Sequence, residues 1–238
     1  MTRKRSYRQN CALAIAMDRI GERWTLLIVR ELLIRPRRFG ELLANLNGIG
    51  TNLLTTRLQR LQDDGLVEKL APEGGHANYQ LSAQGQKLEE VVHCLIRWGM
   101  QFPQDRDGNF QRRREWDILP LRAYFNPGAA RQWSGSYQLE LDGETFHLAA
   151  IGNQLRELAD SSEKPVARLS LSSDLAIAIS NGEISLRQAL KDKQIPYSGR
   201  RRDVEAFFAA FSAQGAYEQL AASSRSQVSA VPSTRSTS

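Results

Sequence analysis

Apolar residues in the first hundred positions recur at helical spacing in short blocks. Leu13, Met17 and Ile20 form the first block; Trp24, Leu27, Ile28 and Leu32 form the second, which Pro36 closes. Phe39, Leu42, Leu43 and Leu46 predict a third helix that stops at Asn47-Gly48. Leu54, Leu58 and Leu61 predict a fourth that stops at Asp64-Gly65, where glycine suits the left-handed residue after a helix. The spacing then changes: Leu66–Leu70 and Asn78–Leu81 read as two short strands around the turn-rich loop "APEGGHA", and a hairpin follows. Ser82 is a suitable cap for a last helix, on which Leu88, Val91, Val92, Leu95 and Trp98 make an apolar stripe more generous than a small domain needs.

Beyond Gln101 the pattern breaks. Residues 103–132, with "FPQDRDGNFQRRRE" and "FNPGA", are polar and irregular and are expected to be a linker between a first domain at 1–102 and a second at 133–215. In the second, "WSGSYQLELDGETFHLAAIG" alternates apolar and polar positions around Asp142-Gly143, a strong hairpin signal. "VARLSLS" supplies a third strand, and "SSDLAIAISNG", "SLRQALKDK" and "VEAFFAAFSAQG" are helical. The fold class expected is therefore α+β, with helices and a hairpin first and a sheet with packed helices second. Residues 216–238 carry no apolar pattern and are expected to be disordered.

Charge changes this picture in one respect. The net charge of +6 lies wholly in residues 1–115, where 19 Lys and Arg face 13 Asp and Glu; residues 116–238 are balanced at 13 each. A basic first half suits a polyanionic partner, although a solvated basic surface explains such a charge as well. Two cysteines cannot build a disulfide framework, and no stretch approaches the ~20 apolar residues of a membrane span, so a cytoplasmic protein with no membrane partner is expected. The three histidines have no ligand-like spacing with the cysteines. Phosphate loop, dinucleotide fingerprint and nucleophile elbow are all missing, so neither metal, cofactor nor enzymatic activity is expected.

The stretch "GIGTNLLTTRL" puts small hydrogen-bonding residues on the face that its leucines leave free. In a helix-turn-helix the second helix enters the DNA major groove with its first residues against bases and phosphates, a role that Thr51, Asn52, Thr55, Thr56, Gln59 and Arg60 could fill. The alternative is that Thr51 and Asn52 merely cap an ordinary helix. Arg37 and Arg38, at the start of the preceding helix, are placed for phosphate contacts, and Lys69 and His76 are the only positive candidates at the hairpin. Arg57 fits either an outward phosphate contact or, by preference, an internal ion pair with Glu31.

Through "CALAIAMDRIGERWTLLIVRELLIRPRRFGELL", "GIGTNLLTTRLQRLQDDGLVEK" and "YQLSAQGQKL", residues 11–102 resemble the HxlR-type winged helix-turn-helix regulators. The resemblance implies a homodimer that binds double-stranded DNA, often as a repressor, with the N-terminal segment and the stripe Leu88, Val91, Val92, Leu95 and Trp98 at the dimer interface. It also implies a thiol-sensor role for Cys11, against which stands a buried small hydrophobe; Cys94 reads as packing. The second half, through "SDLAIAISNGEISLRQALKDKQIPYSG" and its terminal helix, resembles the sterol-carrier-protein-like fold, which implies a hydrophobic small-molecule effector. The competing functional reading is a carrier or sensor of a lipid or hydrophobic metabolite, whose winged helix serves protein contacts.

Overall fold

The computed structural model describes residues 6–70, 77–102, 111, 113–158 and 164–211. The chain divides into two compact units, Met1–Leu119 and Pro120–Ser238.

The first unit opens with α1 (Ala12–Ile20) and α2 (Thr25–Ile34), followed by the two-residue strand β1 (Arg37–Arg38), α3 (Phe39–Asn45) and α4 (Thr51–Asp63). β2 (Val67–Lys69) and β3 (Asn78–Leu81) form the hairpin, and α5 (Ala83–Gln86) and α6 (Leu88–Gly99) come after it. The three strands pair antiparallel in the order β1-β3-β2, with Arg37 opposite Tyr79 and Val67 opposite Leu81. Ile28, Val29, Leu32, Leu42, Leu46, Leu54, Leu58, Leu61, Leu81 and Val92 are buried together as the core. The leucine spacing of α3 and α4 thus predicts their inner faces correctly. Gly48, at φ +93°, makes the tight turn between them in a conformation that side chains resist.

Ser82 caps as its position predicts: its Oγ accepts from the Gly85 N–H at 3.0 Å and donates to the Gly65 carbonyl at 2.6 Å. Gly85 presses against the hairpin, where an added Cβ would lie 2.0 Å from the Leu66 carbonyl oxygen. The first block differs from expectation. α1 buries only Ala14, while Leu13 is 69 % exposed and Met17 is exposed with it, because periodicity reveals an apolar face but not what covers it.

Residues 113–132, expected as linker, hold a 3₁₀ turn (Arg114–Trp116), α7 (Ile118–Tyr124) and a second 3₁₀ turn (Ala129–Gln132). Ile118, Leu119, Ala123 and Phe125 are buried there, an apolar set spread too thinly among polar residues to show as a stripe. Residues 103–110 and 112 of that expected linker lie outside the described residues, as does the expected disordered tail at 216–238.

In the second unit, β4 (Ser136–Leu141), β5 (Glu144–Ile151), β6 (Gln154–Glu157), β7 (Ala167–Leu171) and β8 (Tyr197–Gly199) form one sheet in the order β6-β5-β4-β7-β8. β4 and β7 are parallel and the other pairs antiparallel. Positive φ at Asp142 and Gly143 gives the tight turn that the alternation predicts, with Leu139 opposite Phe146. The helices are α8 (Ser173–Ser180), α9 (Leu186–Lys191) and α10 (Arg201–Ala209). Trp133, Tyr137, Phe207 and Phe211 pack ring on ring where α10 meets the sheet. Burial pushes the Tyr137 hydroxyl up to about 12, with Asp203 adding to the effect, so it stays neutral.

Candidate nucleic-acid interface

The leucines of α4 decide which side chains face out. With Leu54, Leu58 and Leu61 buried, Thr51, Asn52, Leu53, Thr55, Thr56 and Gln59 are exposed. The helix begins on Gly50, whose extended backbone supplies no capping side chain, so neither Thr51 nor Asn52 is spent on capping. The two later threonines are oriented: Thr55 Oγ1 donates to the Thr51 carbonyl at 2.9 Å and Thr56 Oγ1 to that of Asn52 at 2.8 Å. Their donors are thereby used, leaving oxygen lone pairs and methyl groups toward solvent. Gln59 Nε2 donates to Asp63 Oδ1 at 2.9 Å. Leu53 escaped the sequence reading because it lies off the leucine stripe beside a core residue; an exposed aliphatic group there suits the methyl of thymine.

The arginines separate into two kinds. Arg38 is exposed on β1 and its backbone N–H donates to Glu41 Oε2 at 2.8 Å, which is the chief cause of a lowered Glu41 pKa. Its guanidinium makes no ion pair with a described residue. Arg37, expected to touch phosphate, is turned inward by strand alternation, where it is 1 % exposed and ion-paired with Glu31 and Glu115 at 3.5 and 2.7 Å. Arg60 is likewise corrected. Its guanidinium donates to the Asp18 carbonyl and lies 3.5 Å from Glu22, tying α4 to α1 rather than reaching outward. Arg57 is structural as preferred, but its partner is Glu22 at 2.8 Å instead of Glu31.

On the hairpin, Lys69 is exposed with its Nζ 5.9 Å from the Tyr79 ring centroid, and His76 falls outside the described residues. Away from this face, α6 shows Val91, Leu95 and Trp98 to solvent, Trp98 being 59 % exposed and edge-on to Phe102 at 4.8 Å between centroids. Leu88 is half-buried. Val92, expected with the others at an interface, belongs to the core because it lies one position round the helix from Val91. Cys11 is exposed, not a buried hydrophobe, and backbone N–H groups of Ala14 and Leu13 at the start of α1 lower its pKa. Cys94 is half-buried, 3.2 Å from an Arg97 nitrogen. Among the described residues no group of His, Cys, Asp and Glu gathers as a metal site, and no helix is long and apolar enough to cross a membrane.

A two-helix corner presenting polar residues at the start of its second helix, followed by an antiparallel hairpin, defines a winged helix-turn-helix protein. Comparison with known sequences narrows this: residues 19–107 match the HxlR-like helix-turn-helix model. YodB, an HTH-type transcriptional regulator of Bacillus subtilis, is 31% identical over 94 residues, or 39% of this chain and 84% of YodB. The chain belongs to the HxlR-like helix-turn-helix family. An uncharacterised HTH-type transcriptional regulator of Mycobacterium tuberculosis is 37% identical over 89 residues, 37% of this chain. The match spans 56% of that protein, little more than half its length. Among solved structures, quinone-bound YodB from B. subtilis is 29% identical, with a TM-score of 0.34 over 38% of this chain and 97% of that one.

Proposed function

We propose that the protein is a DNA-binding transcriptional regulator that acts as a homodimer and a repressor, without catalytic activity of its own. The observation that carries this reading is the outward start of α4, Thr51 to Thr56, which no side chain caps, together with an exposed Arg38 that has no ion pair among the described residues. Neutralising phosphates releases counterions, so DNA affinity should fall steeply with salt. A flat salt response, or no binding to fragments of its own promoter, would instead favour the carrier reading. A reporter gene under that promoter distinguishes repression from activation.

Within the interface, asparagine can pair with adenine through two hydrogen bonds, worth roughly 1–3 kcal/mol of discrimination. Asn52→Ala should therefore relax sequence preference at one position per half-site while sparing random DNA. Arg38→Ala should weaken binding to every sequence and reduce the salt slope by about one phosphate contact per protomer. Paired titrations on specific and random duplexes decide between them, and equal losses on both for Asn52→Ala would make that residue a backbone clamp.

Support for the homodimer comes from two exposed apolar faces of the same unit, Leu13, Ile15 and Met17 on α1 and Val91, Leu95 and Trp98 on α6. Trp98 is the largest side chain among them, and such aromatic anchors cost about 2 kcal/mol or more when truncated at an interface. Trp98→Ala should raise the dimer dissociation constant at least tenfold in sedimentation equilibrium without lowering the monomer's helix content. A wild type that stays monomeric at micromolar concentration, free and on DNA, would refute this.

Two routes of control fit the remaining features. Cys11 combines exposure with a lowered pKa, as a reactive thiolate requires, and YodB, a family relative, has been solved with quinone bound. Peptide mapping after limited alkylation should find Cys11 modified ahead of Cys94, and the reverse order would remove this support. The second unit, read as sterol-carrier-like, would take a hydrophobic effector; α8 there is apolar along Leu175–Ile179 and buries none of those residues. Lipid extraction of the purified protein tests for such an occupant.

A further inference from the structure

The short segment after the family domain, Arg113–Trp116, is built into the DNA-binding unit through a buried carboxylate. Glu31 of α2 is fully buried, and an ionised carboxylate can stay there only if donors surround it. Arg30 Nη2 lies 2.8 Å from its Oε1, Asn45 Nδ2 of α3 donates to Oε2 at 2.7 Å, and Arg37 of β1 lies 3.5 Å from Oε2. The remaining donor comes from outside residues 19–107: Trp116 Nε1 donates to Oε1 at 2.7 Å. Arg30 then stacks over the Trp116 ring, 3.9 Å from its centroid. Glu115 takes both terminal nitrogens of Arg37, at 2.7 and 3.4 Å, and Arg113 donates to the Ala44 carbonyl of α3 at 3.0 Å. Four consecutive residues thus contain three that grip α2, β1 and α3, the last of which is the first helix of the helix-turn-helix.

We infer that Arg113–Trp116 is a positioning strap for DNA binding, so that affinity is set partly from beyond the family domain. The inference rests on the DNA-binding reading above and adds a regulatory segment to it. The mechanical link is strand alternation: Arg37 and Arg38 are neighbours on β1, one turned in and the other out, so clamping Arg37 to Glu115 and Glu31 fixes the backbone from which Arg38 meets phosphate. Anchoring Ala44 holds the end of α3 just before the turn into α4. The same strap leads directly into Ile118 and Leu119, which open α7 and end the first unit.

The full chain tests this with Trp116→Ala, Trp116→Phe and Glu115→Gln in DNA titrations at several salt concentrations. Circular dichroism confirms the fold at the assay temperature. Trp116→Ala should lower affinity about tenfold, within the range by which residues remote from a ligand modulate binding, and should flatten the salt slope by about one contact per protomer. A purely structural role would reduce the fraction of active protein and leave the slope of the remainder unchanged. Trp116→Phe keeps a ring under Arg30 and should restore the slope. If Trp116→Ala does not fold, Glu115→Gln carries the test with a smaller loss, about threefold, in the same direction. Folded variants with wild-type affinity and slope overturn the inference. If the wild type binds no DNA, the functional reading fails and hydrogen exchange of residues 38–45 judges the strap: faster exchange in Trp116→Ala upholds its grip on α3, and unchanged exchange overturns it.

Discussion

Arg37→Ala should destabilise the first unit by about 3–5 kcal/mol, the usual cost of removing one partner from a buried ion pair. Arg37 is nearly inaccessible, so solvent cannot replace its charge beside Glu31, which keeps Arg30, Asn45 and Trp116 as donors but loses its inward cation. Glu115 is partly exposed and will be less affected. Urea unfolding followed by tryptophan fluorescence should show the midpoint falling by more than about 1 M, given the denaturant dependence of small units. Arg38→Ala is the control: an exposed neighbour with no ion pair among the described residues, it should change stability by less than about 0.5 kcal/mol while weakening DNA binding. A stable Arg37→Ala protein that has lost affinity for DNA would reverse the two assignments and return Arg37 to the phosphate role its position in the sequence suggests.

That reversal of neighbours shows where the sequence is readable. The leucines of α3 and α4, with glycine at 48 and 65, specify two helices and their inner faces, because each position constrains the next at fixed spacing. Asp142-Gly143 specifies its hairpin in the same local way. β1 is two residues long and exists only because β3 pairs with it, so no periodicity can announce it, and with β1 unseen Arg37 and Arg38 look alike. The strap is harder still. "RRREWD" has the composition of a solvated linker, and its order comes from the Glu115 pair with Arg37, separated by 78 positions in sequence. Arg60 and Arg57 were visible as cations on α4, but their orientation depends on Glu22, far away in the chain. Which apolar and small polar residues of α4 face in or out was therefore legible and the orientation of the charged residues largely not, since long charged side chains reach either a protein partner or solvent from the same backbone position.

In the second unit the largest effect is expected at Phe207, which lies on α10 with its ring stacked on Trp133 at 5.6 Å and contacting Phe211 at 4.8 Å and Tyr137 at 5.5 Å. It is almost wholly buried, so truncation removes transfer free energy and leaves a cavity among rings that are fixed by other contacts. Trp133 in particular cannot collapse freely into the space, because its Nε1 donates to the Ala206 carbonyl at 3.0 Å. Phe207→Ala should cost about 3–5 kcal/mol, lowering the melting temperature of this unit by more than about 10 °C. The neighbouring Arg201, exposed and paired with Glu205 one helical turn on, should be worth little by comparison. Calorimetry on the full chain, with hydrogen exchange resolved by peptide, separates the outcomes. Faster exchange in β4, β7 and α10 with unchanged protection in α2, α3 and α4 is the expected result, since the ring contacts of Phe207 among the described residues lie within the second unit. Equal loss of protection in both units would mean that they unfold as one, and DNA binding would then fail together with the sheet.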